Sequence, residues 1–141
     1  MLILVYIIQI ILPLFQSDSE NWVPVENYRE GKLYVDASSL KKFDDDYYVW
    51  VLEEHDPPVK IESIDKKIYK TKTYFVINKP SKRYSIIQII FYDINNNVLK
   101  SYSYNISEQV KYTSPILEGS KIESVMIQCI MLTDVRKPTN N

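Results

Sequence analysis

One histidine, His55, and one cysteine, Cys129, are all the imidazole and thiol that this chain of 141 residues contains. Any Ser-His or Cys-His mechanism must take His55 as its base. His55 stands in the acidic run Glu53-Glu54-His55-Asp56, directly ahead of Pro57-Pro58, and reads as a solvated loop residue. Cys129 falls on an apolar stripe at helical spacing, where a thiol behaves as a small buried hydrophobe. No catalytic residue is assigned on these grounds, and enzymatic activity is not expected.

Two acidic groups offer oxygen ligands, Asp44-Asp45-Asp46 and Glu53-Glu54-His55-Asp56. Neither has the alternating carboxylates, glycine and distant bidentate Glu with which a calcium loop wraps its ion. One Cys and one His cannot build a zinc site without several carboxylates. Gly31 and Gly119, the only glycines, lie too far apart to form a phosphate cradle. No metal and no cofactor is expected. The Asn105-Ile106-Ser107 triplet matters only in a eukaryotic secretory route.

Charge is where binding potential concentrates. The net charge is −1, but Asp18 to Asp56 holds eleven acids against four bases, and Lys60 to Arg83 holds eight bases against two acids. Lys66, Lys67, Lys70, Lys72, Lys79, Lys82 and Arg83, interleaved with Tyr69, Tyr74 and Tyr84, can dock acidic polysaccharide, acidic protein loops or lipid headgroups. The plainer reading is that they pair across strands with the acidic first half. A chain without net positive charge does not imply nucleic-acid binding.

The elements that must position these residues are mostly strands. Asn21 to Val25 contains Pro24, which lacks an amide hydrogen and suits an edge. Lys32 to Asp36 follows after a turn at Gly31. Ser38 to Asp46 reads as a connection. Tyr47 to Leu52 is the clearest strand, expected to stop at the acidic run and Pro57-Pro58. In Ile68 to Asn78, Thr73, Phe75 and Ile77 share one face while Lys72 and Tyr74 share a wetter one. Tyr84 to Tyr92 places Ile86, Ile90 and Tyr92 opposite Ile87, Ile89 and Phe91, which predicts a central strand. The asparagines of Asp93 to Asn97 allow a tight hairpin to Val98–Tyr104. Ser120 and Glu123 have the spacing of a capping box, and Ile122, Val125, Met126, Cys129 and Ile130 form one apolar stripe that must lie on the sheet. The expected fold is α+β, a single antiparallel sheet of about six strands with a C-terminal amphipathic helix.

Ahead of this domain, Met1 to Phe15 carries no charged side chain. As a helix it measures roughly 21 Å, against roughly 30 Å of bilayer hydrocarbon. A cleavable secretory leader fits better, with Pro13 breaking the helix and cleavage after Ser17 or Ser19. The expected division is a signal peptide over 1–19, a domain over 20–134 and a polar tail over 135–141. After cleavage no membrane span remains. A single cysteine makes no internal disulfide, so the core holds the fold alone.

Trp22, Tyr34-Val35-Asp36, the Tyr48 to Leu52 strand, Arg83-Tyr84, Phe91-Tyr92-Asp93 and Gly119-Ser120 before the helix with Cys129 occur in an order that resembles the surface-adhesin protein E family. The resemblance implies a small exported protein of Gram-negative bacteria that binds host extracellular-matrix proteins and can dimerise. Lys79 stands where relatives commonly carry an earlier cysteine, so the family's internal disulfide is absent and Cys129 is free. The namesake's lipid anchor is missing too, which makes a periplasmic location as credible as surface display or secretion. The expected function is a non-enzymatic, exported binding protein for a protein partner. The alternative is a periplasmic structural or assembly protein acting as a homodimer.

Overall fold

The β-branched and aromatic runs of the chain form strands, and the one apolar stripe at helical spacing forms the helix. The computed structural model describes residues 19–104 and 114–135. The leader, the Asn105-Ile106-Ser107 triplet and nearly all of the polar tail lie outside the described residues. The strands are β1 (Trp22–Pro24), β2 (Lys32–Asp36), β3 (Lys41–Phe43), β4 (Asp46–Val59), β5 (Ile68–Asn78), β6 (Arg83–Tyr92), β7 (Val98–Ser103) and β8 (Ser114–Pro115), followed by helix α1 (Lys121–Val135). All pair antiparallel in one open sheet of order β1-β2-β4-β5-β6-β7, with β3 on β4 and β8 on β6. The fold is α+β, as the periodicities imply.

Three differences from the sequence expectation have local causes. The connection from Ser38 to Asp46 contains β3, a short strand with all three residues exposed, so no apolar alternation marks it. Asp44, at φ 52°, turns β3 back onto β4, a left-handed position that Asp tolerates better than most residues. Strand β4 does not stop at Leu52. Glu53 pairs with Thr71, Glu54 with Lys70 and Val59 with Ile68, and the register is irregular between Glu54 and Val59. Pro57 and Pro58 fall inside that irregularity, where no ladder hydrogen is required. In β6, Phe75 faces Ile86 and Tyr74 faces Gln88, which leaves Ile87 as an extra residue. Such a bulge shifts the alternation by one. Ile86 therefore shares a face with Ile89 and Phe91, not with Ile90 and Tyr92.

The β6–β7 hairpin forms where the asparagine run places it. Asn96 takes φ 63°, and the Asp93 carboxylate accepts the amides of Asn95 and Asn97 at 2.9 Å, which holds its carboxyl below the usual range. At the start of α1 the capping box is present in a shifted form. Ser120 Oγ accepts the Glu123 amide at 3.3 Å, while the Glu123 carboxylate takes the amide of Gly119 at 3.1 Å. Gly119 sits at φ +75°, a conformation that costs glycine nothing.

The main core lies between α1 and one face of the sheet. Ile122, Val125, Met126 and Cys129 meet Leu33, Val35, Val49, Val51 and Ile77. Gln128, also buried, reaches across to accept the Glu26 amide at 3.1 Å. A smaller cluster of Ile64, Ile68 and Phe91 packs with Ile89, Leu99 and Tyr102. Cys129 is free and fully buried, and burial pushes its thiol up to about 12. The thiol is expected to ignore a thiol-specific reagent in the folded chain and to react once urea unfolds it. Labelling at equal rates with and without urea would contradict this placement.

Candidate binding face

Alternation along the strands sends every second side chain to the face opposite α1. The register brings Trp22 of β1, Tyr34 of β2, Tyr48 and Trp50 of β4, Lys70, Lys72 and Tyr74 of β5, and Ile90 and Tyr92 of β6 to that side. All six aromatic side chains are half-buried. Each shields its neighbours while keeping part of its ring in water. Trp50 stacks on Tyr74 with centroids 5.0 Å apart and planes at 17°, and Tyr48 lies 6.5 Å from Tyr74. Burial, with Tyr48 alongside, raises the Tyr74 hydroxyl above its ordinary value, so it remains a neutral donor.

Lys72 occupies the middle of this surface. Its ammonium lies 5.4 Å from the Trp22 ring centre and 5.3 Å from that of Tyr92. It donates to Glu20 Oε1 at 3.1 Å, and the Trp22 indole donates to Glu20 Oε2 at 2.9 Å. Ion pairs this exposed contribute at most about 1 kcal/mol, and each cation–ring contact about as much. Together they fix where the charge points more than they hold the fold together. Glu54, near the end of the cleft, pairs at 3.9 Å with Lys32. Trp22, Tyr34, Leu52, Lys70, Lys72 and Tyr92 are among the walls of a shallow cleft of about 450 Å³.

Asp36 anchors the β1–β2 end. Burial opposes its ionisation, but the Ser38 hydroxyl at 2.7 Å and the amides of Asn21 and Ser38 at 2.8 and 3.1 Å outweigh it. The carboxyl is therefore held below its ordinary value, as a carboxylate accepting several donors should be.

The seven basic residues of the sequence reading divide into separate groups. Lys70 and Lys72 lie on the cleft, and Lys66 and Lys67 are exposed in the turn that leads into β5. Lys79, Lys82 and Arg83 are at the other end of β5, around the turn into β6. The extended chain from Lys72 to Lys79 covers about 23 Å at roughly 3.3 Å per residue. The cross-strand reading holds for Lys72, whose partner Glu20 comes from the acidic first half.

The acidic runs differ from solvated loops. Asp44 and Asp45 are exposed, but Asp46 is buried and accepts the Asn78 amide nitrogen at 2.9 Å. Glu53, Glu54 and His55 are half-buried on β4. Among the described residues no group of three or more His, Cys, Asp or Glu side chains is placed to hold a metal ion.

His55 is thus a strand residue, with its Nε2 2.8 Å from Thr71 Oγ1. Thr71 is buried and paired with Glu53 on one side and Phe91 on the other, so its backbone is committed to the ladder. Burial lowers the His55 imidazole below 6.5, Glu53 works against that shift and Lys121 adds to it. The folded chain favours the neutral ring. The stability this gives is complete above the unfolded value of 6.5 and is lost as pH falls through the lower folded value. Melting temperature is expected to drop between about pH 7.5 and about pH 5, and His55→Gln is expected to flatten part of that drop. An unchanged slope would assign the titration elsewhere.

Trp22, Trp50, Tyr34 and Tyr92 were not among the site residues expected from sequence, because their shared face depends on register across five strands. The available signal was local: Tyr48-x-Trp50 and Lys72-x-Tyr74 each repeat at period two on a wet face.

The open antiparallel sheet is thus covered by a helix on one face and presents aromatic and charged side chains on the other. The chain's family is shown directly: the model described as Surface-adhesin protein E matches residues 22–128, from Trp22 of the cleft into α1. The chain belongs to the surface-adhesin protein E family, a membership that makes it an adhesin-like, exported protein. Comparison with curated proteins and with solved structures finds no match. No helix among the described residues is long and apolar enough to cross a membrane.

Proposed function

We propose that this chain is a non-enzymatic adhesin-like module that takes a protein partner on the helix-free face of its sheet. The observation that carries the reading is the cluster of Trp22, Trp50, Tyr74 and Tyr92 around Lys72. Tryptophan and tyrosine are the side chains that most often dominate protein interfaces, because they bury a large area while ordering few torsions. Here they are already held by stacking and by the Lys72–Glu20 pair. Lys70 and Lys72 add charge for an acidic segment of the partner, with Lys66 and Lys67 beside them. The partner class proposed is host extracellular-matrix protein, in keeping with family membership. Cleavage of the leader after Ser17 or Ser19 retains Glu20 and Trp22, which the cleft requires, in either periplasm or surface display.

Solid-phase binding to immobilised extracellular-matrix proteins tests the charged half of this reading. Lys70→Ala with Lys72→Ala is expected to weaken binding severalfold and to reduce its salt dependence. Lys79→Ala with Lys82→Ala, at the far turn, is expected to change little. The reverse ranking would move the site to the β5–β6 turn.

A second reading, a homodimer with a structural or assembly role in the periplasm, is favoured by one observation. Among the described residues, strand β6 is paired on both sides, whereas β7 ends the sheet order and has Val98 and Lys100 exposed beside an exposed Ile94. An exposed edge strand is a template for a second chain. Light scattering at high concentration decides it, since a strict monomer removes the dimer.

A further inference from the structure

The cleft on the helix-free face holds two charges that the fold leaves unused. Glu54 of β4 and Lys70 of β5 stand directly opposite each other in the ladder, and both are half-buried in the cleft walls. Opposite charges so placed ordinarily pair. Here they do not. Among the described residues Lys70 makes no ion pair or hydrogen bond, and Glu54 reaches only the exposed Lys32, at 3.9 Å. Lys72, the next lysine on that face, is already engaged by Glu20 at 3.1 Å and by the rings of Trp22 and Tyr92.

We propose that this cleft binds one carboxylate-bearing sugar residue of a glycan, a hexuronic or a sialic acid. The inference rests on the reading of the helix-free face as the binding face, and it narrows the acidic group expected there. Three features select the ligand class. The unpartnered Lys70 ammonium, with Lys72 two residues along, takes an anion. The carboxylates of Glu54 and Glu20, which line the same cleft, accept only from donors and repel further negative charge. A single carboxylate ringed by hydroxyls therefore gains from the lysines and the acids together. A sulfated polyanion or a run of aspartates gains from the first and loses to the second. The rings of Trp22, Tyr34 and Tyr92 supply apolar area for the C–H face of a pyranose. At about 450 Å³ the cleft falls within the roughly 300–1,000 Å³ of small-molecule sites, and its shallow form lets the rest of a glycan leave the surface.

The test is amide-resolved NMR of the full 15N-labelled chain titrated with methyl β-D-glucuronide and, separately, with the methyl α-glycoside of N-acetylneuraminic acid. Saturable shifts at the Glu54 and Lys70 amides and the Trp22 indole are expected with at least one of them, and the tighter of the two assigns the source. Methyl β-D-glucoside, without the carboxylate, and an N-acetylated, C-amidated aspartate, without the hydroxyls, are expected to bind at least fivefold more weakly. Lys70→Met is expected to weaken sugar-acid binding at least tenfold and Lys70→Arg to retain most of it. The sign at Glu54→Gln separates the ligand classes. Loss of a charged hydroxyl acceptor weakens sugar binding severalfold, whereas a site for a simple anion or an acidic peptide would tighten. No saturable shift with either sugar acid, tightening by Glu54→Gln, or equal binding of the aspartate probe would overturn the proposal. If both sugar acids fail while extracellular-matrix protein still shifts the indoles, this inference falls and the protein-binding reading stands. Sugar-acid binding with no response to matrix protein would overturn the partner proposed above and uphold the cleft.

Discussion

Replacing Trp50 with alanine is expected to lower affinity for immobilised extracellular-matrix protein at least tenfold, about 1.4 kcal/mol of binding free energy. Trp50 lies on β4, inside the sheet, stacked on Tyr74 and half-buried beside the Lys72 cluster. A central, pre-ordered aromatic of this kind is where interface energy concentrates. Its removal deletes the ring and also frees Tyr74 to reorient, so a partner must then order a surface that the native chain holds ready. Some stability is lost as well, because an aromatic pair contributes about 0.5–1.5 kcal/mol beyond its buried area. Binding is therefore compared at a temperature where both chains are folded, as followed by circular dichroism. Met131→Ala is the control: that side chain is 38% exposed on α1, on the opposite side of the sheet, and its loss is expected to leave binding unchanged. Equal binding by the Trp50 variant would remove the aromatic face as the site.

The largest effect on stability is expected at Ile77. Its side chain is fully buried on β5, paired with Tyr47 across the ladder and part of the core under α1. Ile77→Ala is expected to cost about 2–5 kcal/mol, the sum of lost apolar burial and the cavity left behind. Most domains of this size are stable by only about 5–15 kcal/mol. Cys129 is free, so no disulfide involving it constrains the unfolded chain and offsets the loss. Urea unfolding measures it as a shift in midpoint at constant slope. Ile94→Ala, at a residue 65% exposed in the β6–β7 turn, is expected to stay within about 0.5 kcal/mol of the parent. Similar costs at the two positions would mean that Ile77 does not lie in the core.

Legibility of the fold followed how local each signal was. The stripe from Ile122 to Ile130 repeats at helical spacing within nine residues, and it seats where that periodicity requires. The Asp93 to Asn97 hairpin is encoded in five residues whose own side chains close the turn. Strand β3, Lys41-Lys42-Phe43, carries no apolar alternation. The extension of β4 past Leu52 depends on an irregular register that accommodates Pro57 and Pro58, which no rule about proline in regular ladders anticipates. The inversion of Ile86 arises from one residue, Ile87, that has no partner in β5, a feature visible only once the two strands are registered.

The candidate site was less legible than the fold for the same reason. Charge is visible residue by residue, so attention falls on the lysines from Lys66 to Arg83. A strand of eleven residues then carries that run from one end of the sheet to the other. The aromatic cluster is the opposite case. Trp22, Trp50, Tyr74 and Tyr92 are far apart in sequence, and only the pairing of β1 with β2, β2 with β4, β4 with β5 and β5 with β6 makes them neighbours. Family membership agrees with a binding role but does not name the face that binds. That assignment rests on geometry, on the contrast between a helix-covered apolar face and an aromatic, charged one.

Both tryptophans of the chain, Trp22 and Trp50, lie on that face. Their two indole NH resonances, followed in a 15N-labelled chain as soluble extracellular-matrix protein is added, are the most direct report on where a partner docks. Saturable shift or broadening of both indoles, lost when Lys72 and Tyr74 are replaced by alanine, is the expected result. Binding that leaves both indoles unperturbed would contradict the assignment.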